Sequence, residues 1–220
     1  TMRDIARSQK FVLDALGINQ LYAVIGNSMG GMISLTWALE YPHSLNHLIL
    51  VSSCHKAYPA NIANRCIQRE IILLNQDQGF KIARKLGHLT YRNIADLNKK
   101  FAQHPHQIKD YLAYKAQQFT DYFNVQSYVH LLDAMDSFDL THADFTGIKA
   151  KVLIISVDSD ILFTPAQQEA LYQILNNALV NVTYIQHHSS YGHDAFLVEI
   201  DAMGQYFNDF LSKDKINGKN

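Results

Sequence analysis

The fold is decided by residues 21–32, which read Leu-Tyr-Ala-Val-Ile-Gly-Asn-Ser-Met-Gly-Gly-Met. The apolar run Leu21–Ile25 predicts a buried strand, and apolar residues at helical spacing over 29–41 predict a helix that stops at Pro42. Between them lies a G-x-S-x-G turn centred on Ser28, in which the glycines make room for a sharp, strained bend. Such a bend exposes a serine hydroxyl at the end of a sheet. We therefore expect Ser28 to be a nucleophile and the backbone N–H of Met29 to be an oxyanion donor.

A serine hydroxyl needs a base held by a carboxylate, and in this strand-turn-helix context the order along the chain is serine, acid, histidine. Asp160 follows a predicted strand over Lys151–Val157, and His193 follows another over Val180–Gln186. The carboxyl ends of parallel strands meet at one edge of a sheet. The sequence thus predicts that Asp160 and His193 join Ser28 there.

Alternatives remain open for both partners. Asp158 follows the same strand as Asp160, and His187 and His188 follow the same strand as His193. Gly192 favours His193, because a glycine allows a tight backbone approach beside the base. Five other histidines are expected at surface or loop positions, namely His43, His47, His104, His106 and His142.

Helices and strands alternate on both sides of a long helical segment. A helix is predicted over Asp4–Leu16, and its one buried face is formed by Ile5, Phe11, Val12, Ala15 and Leu16. A strand is predicted over Leu45–Ser52, a helix over Pro165–Leu175 and a closing helix over Ala195–Leu211. This order predicts an α/β fold with a parallel sheet. We expect residues 1–53 and 150–212 to form its core, residues 54–149 to form a helical cap insertion, and residues 213–220 to be a frayed polar tail.

Composition favours a globular protein that acts on small molecules. The 220 residues are 48% hydrophobic and carry a formal net charge of -1 with both signs interspersed, which gives no footprint for nucleic acid or an anionic membrane. No apolar run reaches the length of a membrane span, the start does not resemble a signal peptide, and the two cysteines suit a reducing cytosol. No histidine and carboxylate grouping has metal-ligand spacing, so we expect small-molecule substrates and no metal.

Four motifs together resemble one family, the homoserine O-acetyltransferases of the α/β-hydrolase superfamily. They are AVIGNSMGGM at 23–32, GFKIARKLGHLTYR at 79–92, SDILF at 159–163 and GHDAFL at 192–197. The resemblance implies the same nucleophile, acid and base. It also implies that Arg84 grips the carboxylate of the amino-acid substrate and that Asp194 pairs with its ammonium group, with Tyr91 as a weaker candidate for the same pocket.

The reaction implied by the resemblance has two steps. Acetyl-CoA, a co-substrate rather than a bound cofactor, acylates Ser28, and L-homoserine then takes the acetyl group in a step of methionine biosynthesis. A succinyl donor or a serine acceptor stays open. Family members are commonly dimers through the cap helices, so a cytoplasmic homodimer is expected.

Two departures from the family pattern matter. The first strands of the α/β-hydrolase sheet, with the loop expected to supply a second oxyanion donor, have no counterpart here, and the connection between Arg69 and Gly79 is short. We therefore expect the strand Leu21–Ile25 to have one unpaired edge and the chain alone to have little transferase activity. Two other interpretations remain: a serine hydrolase, which would need neither Arg84 nor Asp194, or an inactive remnant with an intact triad.

Overall fold

Four parallel strands form the centre of the protein. The computed structural model describes residues 1–217, with side chains as far as Ser212. The strands are β1 (Leu21–Asn27), β2 (Leu45–Val51), β3 (Lys151–Val157) and β4 (Val182–His187), in the spatial order β1-β2-β3-β4. Asn27 pairs with Val51 and Val157 with His187, so the carboxyl ends of the strands lie at one edge. Among the described strands β1 pairs only with β2, as expected for an edge strand.

The two central strands are buried on both faces, which explains their continuous apolar runs. Alternate side chains of β2 and β3 point to opposite faces. Leu48, Leu50, Val152 and Ile154 join the larger core cluster, which includes residues of α1 (Met2–Ala15), α2 (Met29–Glu40) and α8 (Pro165–Asn177). Ile49, Val51, Leu153 and Ile155 pack on the other face around Met203.

Five helices stand between β2 and β3. They are α3 (Pro59–Leu74), α4 (Gln76–Leu89), α5 (Ile94–Lys100), α6 (Ile108–Thr120) and α7 (Val125–Asp136). They have an apolar cluster of their own, with Ile72, Phe80, Ala83, Tyr128 and Leu132 buried in it. On this basis we propose that residues 54–149 form a cap insertion over a core made of residues 1–53 and 150–212.

The first helix differs from its prediction in what it buries. It packs against α2 and buries Met2 and Ala6. Four residues of the predicted face are exposed instead, namely Phe11 (by 77%), Val12, Ala15 and Leu16. The predicted buried face was therefore wrong for these four residues, because the contact follows the stripe that starts at Met2 and Ala6.

The closing helix is broken rather than continuous. A short helix α9 (Ala195–Val198) ends at Glu199, and α10 (Ile200–Asn217) follows. The Glu199 carboxylate lies 2.9 Å from Nε2 of His187, which fixes the break beside β4. The helical backbone of α10 takes in residues 213–217 of the predicted tail, and the rest of that tail lies outside the described residues.

His47 corrects another expectation. It is buried in β2, where its Nδ1 lies 2.8 Å from the carbonyl oxygen of Tyr22. A position in a central strand, rather than a loop, places this ring in the core.

Candidate active site

Ser28 occupies the sharp turn between β1 and α2. Its backbone has φ 55° and ψ -124°, a conformation that costs a non-glycine residue of the order of 1–3 kcal/mol. The turn is held by the Ser28 N–H, which donates to the carbonyl of Val51 at 2.9 Å, and by Ser53 Oγ, which donates to the carbonyl of Ser28 at 2.9 Å. A Cβ at Gly26 would collide with the Gly30 carbonyl and Ser34 Oγ, so only glycine fits there.

A continuous hydrogen-bonded chain links the three residues that the sequence singled out. His193 Nε2 lies 2.9 Å from Ser28 Oγ, and His193 Nδ1 lies 2.8 Å from Asp160 Oδ2. The three side chains come from the ends of β1, β3 and β4. This is the geometry in which a base can take the serine proton while a carboxylate orients its ring.

The histidine is fixed by its surroundings. It is buried, and the ring of Phe163 stacks on it with centroids 5.3 Å apart while Phe196 meets it edge-on at 5.4 Å. Gly192 precedes it with φ 67°, and a Cβ there would lie 2.7 Å from the backbone nitrogen of Asn93. The tight approach expected at Gly192 is thus present.

The two oxygens of Asp160 have separate partners. Oδ2 faces His193, while Oδ1 accepts the backbone N–H groups of Leu162 at 2.8 Å and Phe163 at 2.9 Å. The carboxylate is buried and each of its oxygens has a hydrogen-bond partner, which holds its orientation towards the ring.

The alternative candidates for the acid and the base contact other residues. His187 lies beside Tyr206 and Glu199. His188 is exposed and pairs with Asp158, whose Oδ2 lies 2.9 Å from its Nδ1. Neither histidine contacts Ser28 in the described structure.

Asp158 and Ser159 tie together the loops that carry the acid and the base. Ser159 Oγ donates to the carbonyl of Ser189 at 2.5 Å and accepts the Gly192 N–H at 3.1 Å. Asp158 Oδ1 accepts the Ser189 N–H at 3.0 Å. These contacts form a clamp, residues 158, 159, 189 and 192, that does not include Asp160 or His193.

Met29 is the first residue of α2, where a backbone N–H has no acceptor within the helix. It directly follows Ser28, as the predicted oxyanion donor must. A helix N-terminus also carries partial positive charge, which favours a developing oxyanion.

Arg84 is a buried cation without an acidic partner among the described residues. Only 9% of it is exposed, its guanidinium carbon lies 3.8 Å from the ring centroid of Phe119, and its Nη1 donates to Tyr91 Oη at 3.2 Å. A buried charge normally has a paired opposite charge, so this guanidinium is able to pair with an anionic group from outside the chain.

Tyr91 connects this arginine to the base. Its ring centroid lies 5.8 Å from that of His193, and its carbonyl accepts the N–H of Asp194 at 3.0 Å. Burial raises the pKa of the Asp194 carboxyl, while the positive charges of His193 and Arg92 act in the opposite direction. Tyr91 therefore contacts both residues predicted to hold the amino acid, Arg84 through its hydroxyl group and Asp194 through the backbone.

Two cavities meet at Ser28 and share Arg84, Tyr91, Phe119 and Phe123. The inner cavity, of about 280 Å³, lies under the cap helices and is otherwise lined by Met29, Asn61, Asn64, Arg65, Gln68, Gly87, Thr90, Tyr128, Leu131, Leu132, Met135, Leu162 and Phe163. The outer groove, of about 580 Å³, is more open and adds His88, Lys115, Gln118, Tyr122, His193, Asp194, Phe196 and Leu197.

Several of these residues escaped prediction. Arg65 is buried and its Nε lies 2.5 Å from Asp136 Oδ1, a pair separated by 71 residues that no local pattern reveals. Phe163, which stacks on the base, lies within the SDILF motif, so its position beside the acid was a usable signal.

Within residues 1–217 no helix has the length and apolarity needed to cross a bilayer. The same residues contain no cluster of three or more histidine, cysteine or acidic side chains arranged to hold a metal ion.

Comparison with known proteins agrees with this geometry. The family profile described as alpha/beta hydrolase fold matches residues 1–67. The homoserine O-acetyltransferase of Methanococcus vannielii is 33% identical over 244 aligned positions, which cover 97% of this chain and 50% of that protein. The chain spans about half the length of several curated relatives that it matches.

Solved structures give the same picture. The homoserine O-acetyltransferase from Staphylococcus aureus superposes with a TM-score of 0.84 at 27% identity, covering 96% of this chain and 64% of that one. Esterase E22 superposes with a TM-score of 0.87 at 23% identity, covering 96% and 66% of the two chains, a likeness that shows the shared fold.

Proposed function

Because this chain belongs to the α/β-hydrolase superfamily and within it is a homologue of the homoserine O-acetyltransferases, we propose that it transfers an acetyl group from acetyl-CoA to L-homoserine through Ser28. The product is O-acetyl-L-homoserine, and the reaction is a step of methionine biosynthesis. Ser28, His193 and Asp160 act as nucleophile, base and orienting acid. Their hydrogen-bonded chain supports these roles.

In the first half-reaction Ser28 Oγ attacks the thioester carbonyl of acetyl-CoA. The Oγ proton passes to His193 Nε2, the carbonyl oxygen becomes an oxyanion beside the Met29 N–H, and the C–S bond breaks. His193 returns the proton to the departing sulfur. CoA leaves as the free thiol and an acetyl ester remains on Ser28.

In the second half-reaction the hydroxyl of L-homoserine attacks this ester. His193 takes the hydroxyl proton, the new C–O bond forms, and the bond to Ser28 Oγ breaks as the proton returns to it. The enzyme is restored without any net change.

The choice of acceptor rests on one observation, that a positive and a negative side chain both line the outer groove. Arg84 contributes a buried cation with no acidic partner among the described side chains, and Asp194 contributes a carboxylate, both beside Ser28. An amino acid carries the complementary ammonium and carboxylate groups. We assign its carboxylate to Arg84 and its ammonium to Asp194, with Tyr91 supporting both.

The test follows each half-reaction separately. Incubation with acetyl-CoA alone should give an acetyl adduct on Ser28 by intact mass, and addition of L-homoserine should remove it with further CoA release. Both steps should be slow in this chain, because Met29 is the one oxyanion donor predicted in its sequence. Ser28→Ala should form no adduct. Arg84→Lys, which keeps the charge but loses the guanidinium fork, should weaken the homoserine step and leave acylation nearly intact. An adduct on Ser28→Ala, or equal loss in both steps for Arg84→Lys, contradicts these roles.

A serine esterase is the second candidate function, because the fold is shared with esterase E22 and the outer groove opens to solvent. In that case water would replace homoserine as the acceptor. Steady CoA release without homoserine, unaffected by substitutions of Arg84, would favour the esterase.

We also propose a homodimer formed through the cap helices and a cytoplasmic location. Exposed apolar side chains on α3 support the dimer, with Ile67 48%, Leu73 85% and Leu74 87% exposed. Sedimentation equilibrium of the protein and of Leu74→Glu tests it, since a single monomeric mass for both proteins would contradict the dimer.

A further inference from the structure

The inner cavity contains only part of the set of residues proposed to hold homoserine. Arg84 and Tyr91 line both cavities, whereas Asp194 lines only the outer groove. An amino acid held by both Arg84 and Asp194 therefore occupies the outer groove. The inner cavity is left to the acyl group on Ser28.

Its size exceeds what an acetyl group needs. An apolar cavity of ~150 Å³ is large enough to bind benzene, which has about six carbon atoms. The inner cavity measures about 280 Å³, whereas acetyl places one methyl group beyond the carbonyl carbon.

One wall of this cavity is apolar. It is formed by Leu131, Leu132 and Met135 from α7, by Phe119 and Phe123, and by Leu162 and Phe163 beside the acid. Burial of each methylene against such a wall strengthens binding about fourfold, since it contributes roughly 0.8 kcal/mol.

The opposite wall is polar in composition, but its groups already have partners. Tyr128 Oη donates to Gln68 Oε1, Gln68 Nε2 donates to Asn64 Oδ1 at 2.5 Å, and Asn61 Nδ2 donates to the Leu162 carbonyl at 2.8 Å. Arg65 is neutralised by Asp136. The other charge at this cavity is Arg84, which is already assigned to the carboxylate of the amino acid, so no charge is left that calls for a charged acyl group.

We infer that the inner cavity is an acyl-chain site that admits straight, uncharged acyl groups of about six carbons or more from their thioesters, in addition to acetyl. The inference rests on the proposed Ser28 acyl-enzyme. The chemistry is unchanged: the bond between Ser28 Oγ and the acyl carbon forms, the C–S bond breaks, and the serine proton leaves with the thiol.

The test measures acylation of Ser28 without any acceptor. Acetyl-, butyryl-, hexanoyl- and decanoyl-CoA are each mixed with the protein, and adduct formation is followed by quenched intact-mass analysis. We expect hexanoyl-CoA to acylate with at least ~10-fold higher kcat/KM than acetyl-CoA.

Variants at Leu131, a half-buried residue of α7, move the limit in both directions. Leu131→Trp should lower the hexanoyl to acetyl ratio at least ~10-fold, and Leu131→Ala should raise acylation by decanoyl-CoA. Leu89→Trp is the control, because Leu89 is 40% exposed and lines neither cavity. Its ratio should match that of the unaltered protein.

The results of this test distinguish failure of the acyl-chain site from failure of the proposed function. Acylation confined to acetyl-CoA, or an equal fall for all donors in Leu131→Trp while Leu131→Ala changes nothing, overturns the acyl-chain site and leaves the proposed function standing. Hexanoyl adducts that homoserine cannot discharge support the acyl-chain site and contradict the acceptor. No adduct from any donor overturns both.

Discussion

Replacement of Arg84 by methionine should separate stability from activity. Arg84 is 9% exposed and pairs with no carboxylate in the described part of the chain. An apolar residue of similar length in place of buried charge is often stabilising by about 1–4 kcal/mol. The lost contact with Phe119, 3.8 Å from the guanidinium carbon, costs up to about 2 kcal/mol. We expect Arg84→Met to be as stable as the unaltered protein, or about 1 kcal/mol more stable.

Arg65 provides the matched control, because it is an equally buried arginine of the cap that does have a partner. It is 5% exposed and its Nε lies 2.5 Å from Asp136 Oδ1. Arg65→Met removes one of the two arginines that hold this carboxylate, because Arg69 Nη2 also lies 2.5 Å from Asp136 Oδ2. The cost should therefore stay at or below the lower end of the about 3–5 kcal/mol that a fully unpaired charge causes. The two methionine variants should thus differ by roughly 5–10 °C in Tm, at about 2–4 °C per kcal/mol for a chain of this size.

Activity should change in the opposite sense. A hydrogen bond to a charged group contributes about 1.5–3 kcal/mol, so loss of the fork should lower kcat/KM for homoserine by about 10²–10⁴-fold. Acylation by acetyl-CoA should stay within about threefold, because the first half-reaction does not use the amino-acid site. Calorimetry and the two separated half-reactions measure these effects. A fall in Tm for Arg84→Met as large as that for Arg65→Met, or an equal loss in both half-reactions, would refute the reasoning.

Three further changes test other parts of the site. Asp160→Asn keeps an acceptor for the N–H groups of Leu162 and Phe163 but loses the charge that faces His193. Acylation should therefore slow by about 10⁴-fold with little change in Tm. A loss of rate below tenfold would be inconsistent with the orienting role. Gly192→Ala should destabilise the protein by about 1–3 kcal/mol, measured by urea unfolding, because φ is 67° and the methyl group would meet Asn93. Burial, with help from Arg84 and Lys115, lowers the pKa of His88 from 6.5 to about 4, so the unfolded chain takes up this proton first as the pH falls. Stability should therefore decline from pH 6.5 towards 4, and urea unfolding of His88→Gln should show a shallower decline; an unchanged slope would exclude His88 as a contributor.

The strands and the three-residue chain were predictable because their signals are local. β3 has the predicted bounds, and β1 and β2 differ only at their ends. Ser28, Asp160 and His193 each follow a strand, and parallel strands bring such positions to one edge whatever the length of chain between them. The choice of His193 over His187 depended on the neighbouring glycine and on the family resemblance.

The surroundings of the site were not predictable in the same way. Periodicity shows that a helix has an apolar side but not which neighbour covers it, so Phe11 and Val12 of α1 were misplaced. The break at Glu199 lies beside a contact between its carboxylate and His187, and the pair Arg65 and Asp136 joins helices far apart in sequence. Cavities arise from such long-range packing, which a single sequence does not specify.

The clamp formed by residues 158, 159, 189 and 192 separates two roles among neighbouring residues, holding the loops and orienting the base. Asp158 and Ser159 hold the two loops in place, and Asp160 alone faces the base. Loss of chemistry at position 160 therefore need not loosen the frame around it. A homologue that has lost acyl transfer could therefore keep these loops in place with a different side chain at position 160. The same fold could then support a different reaction.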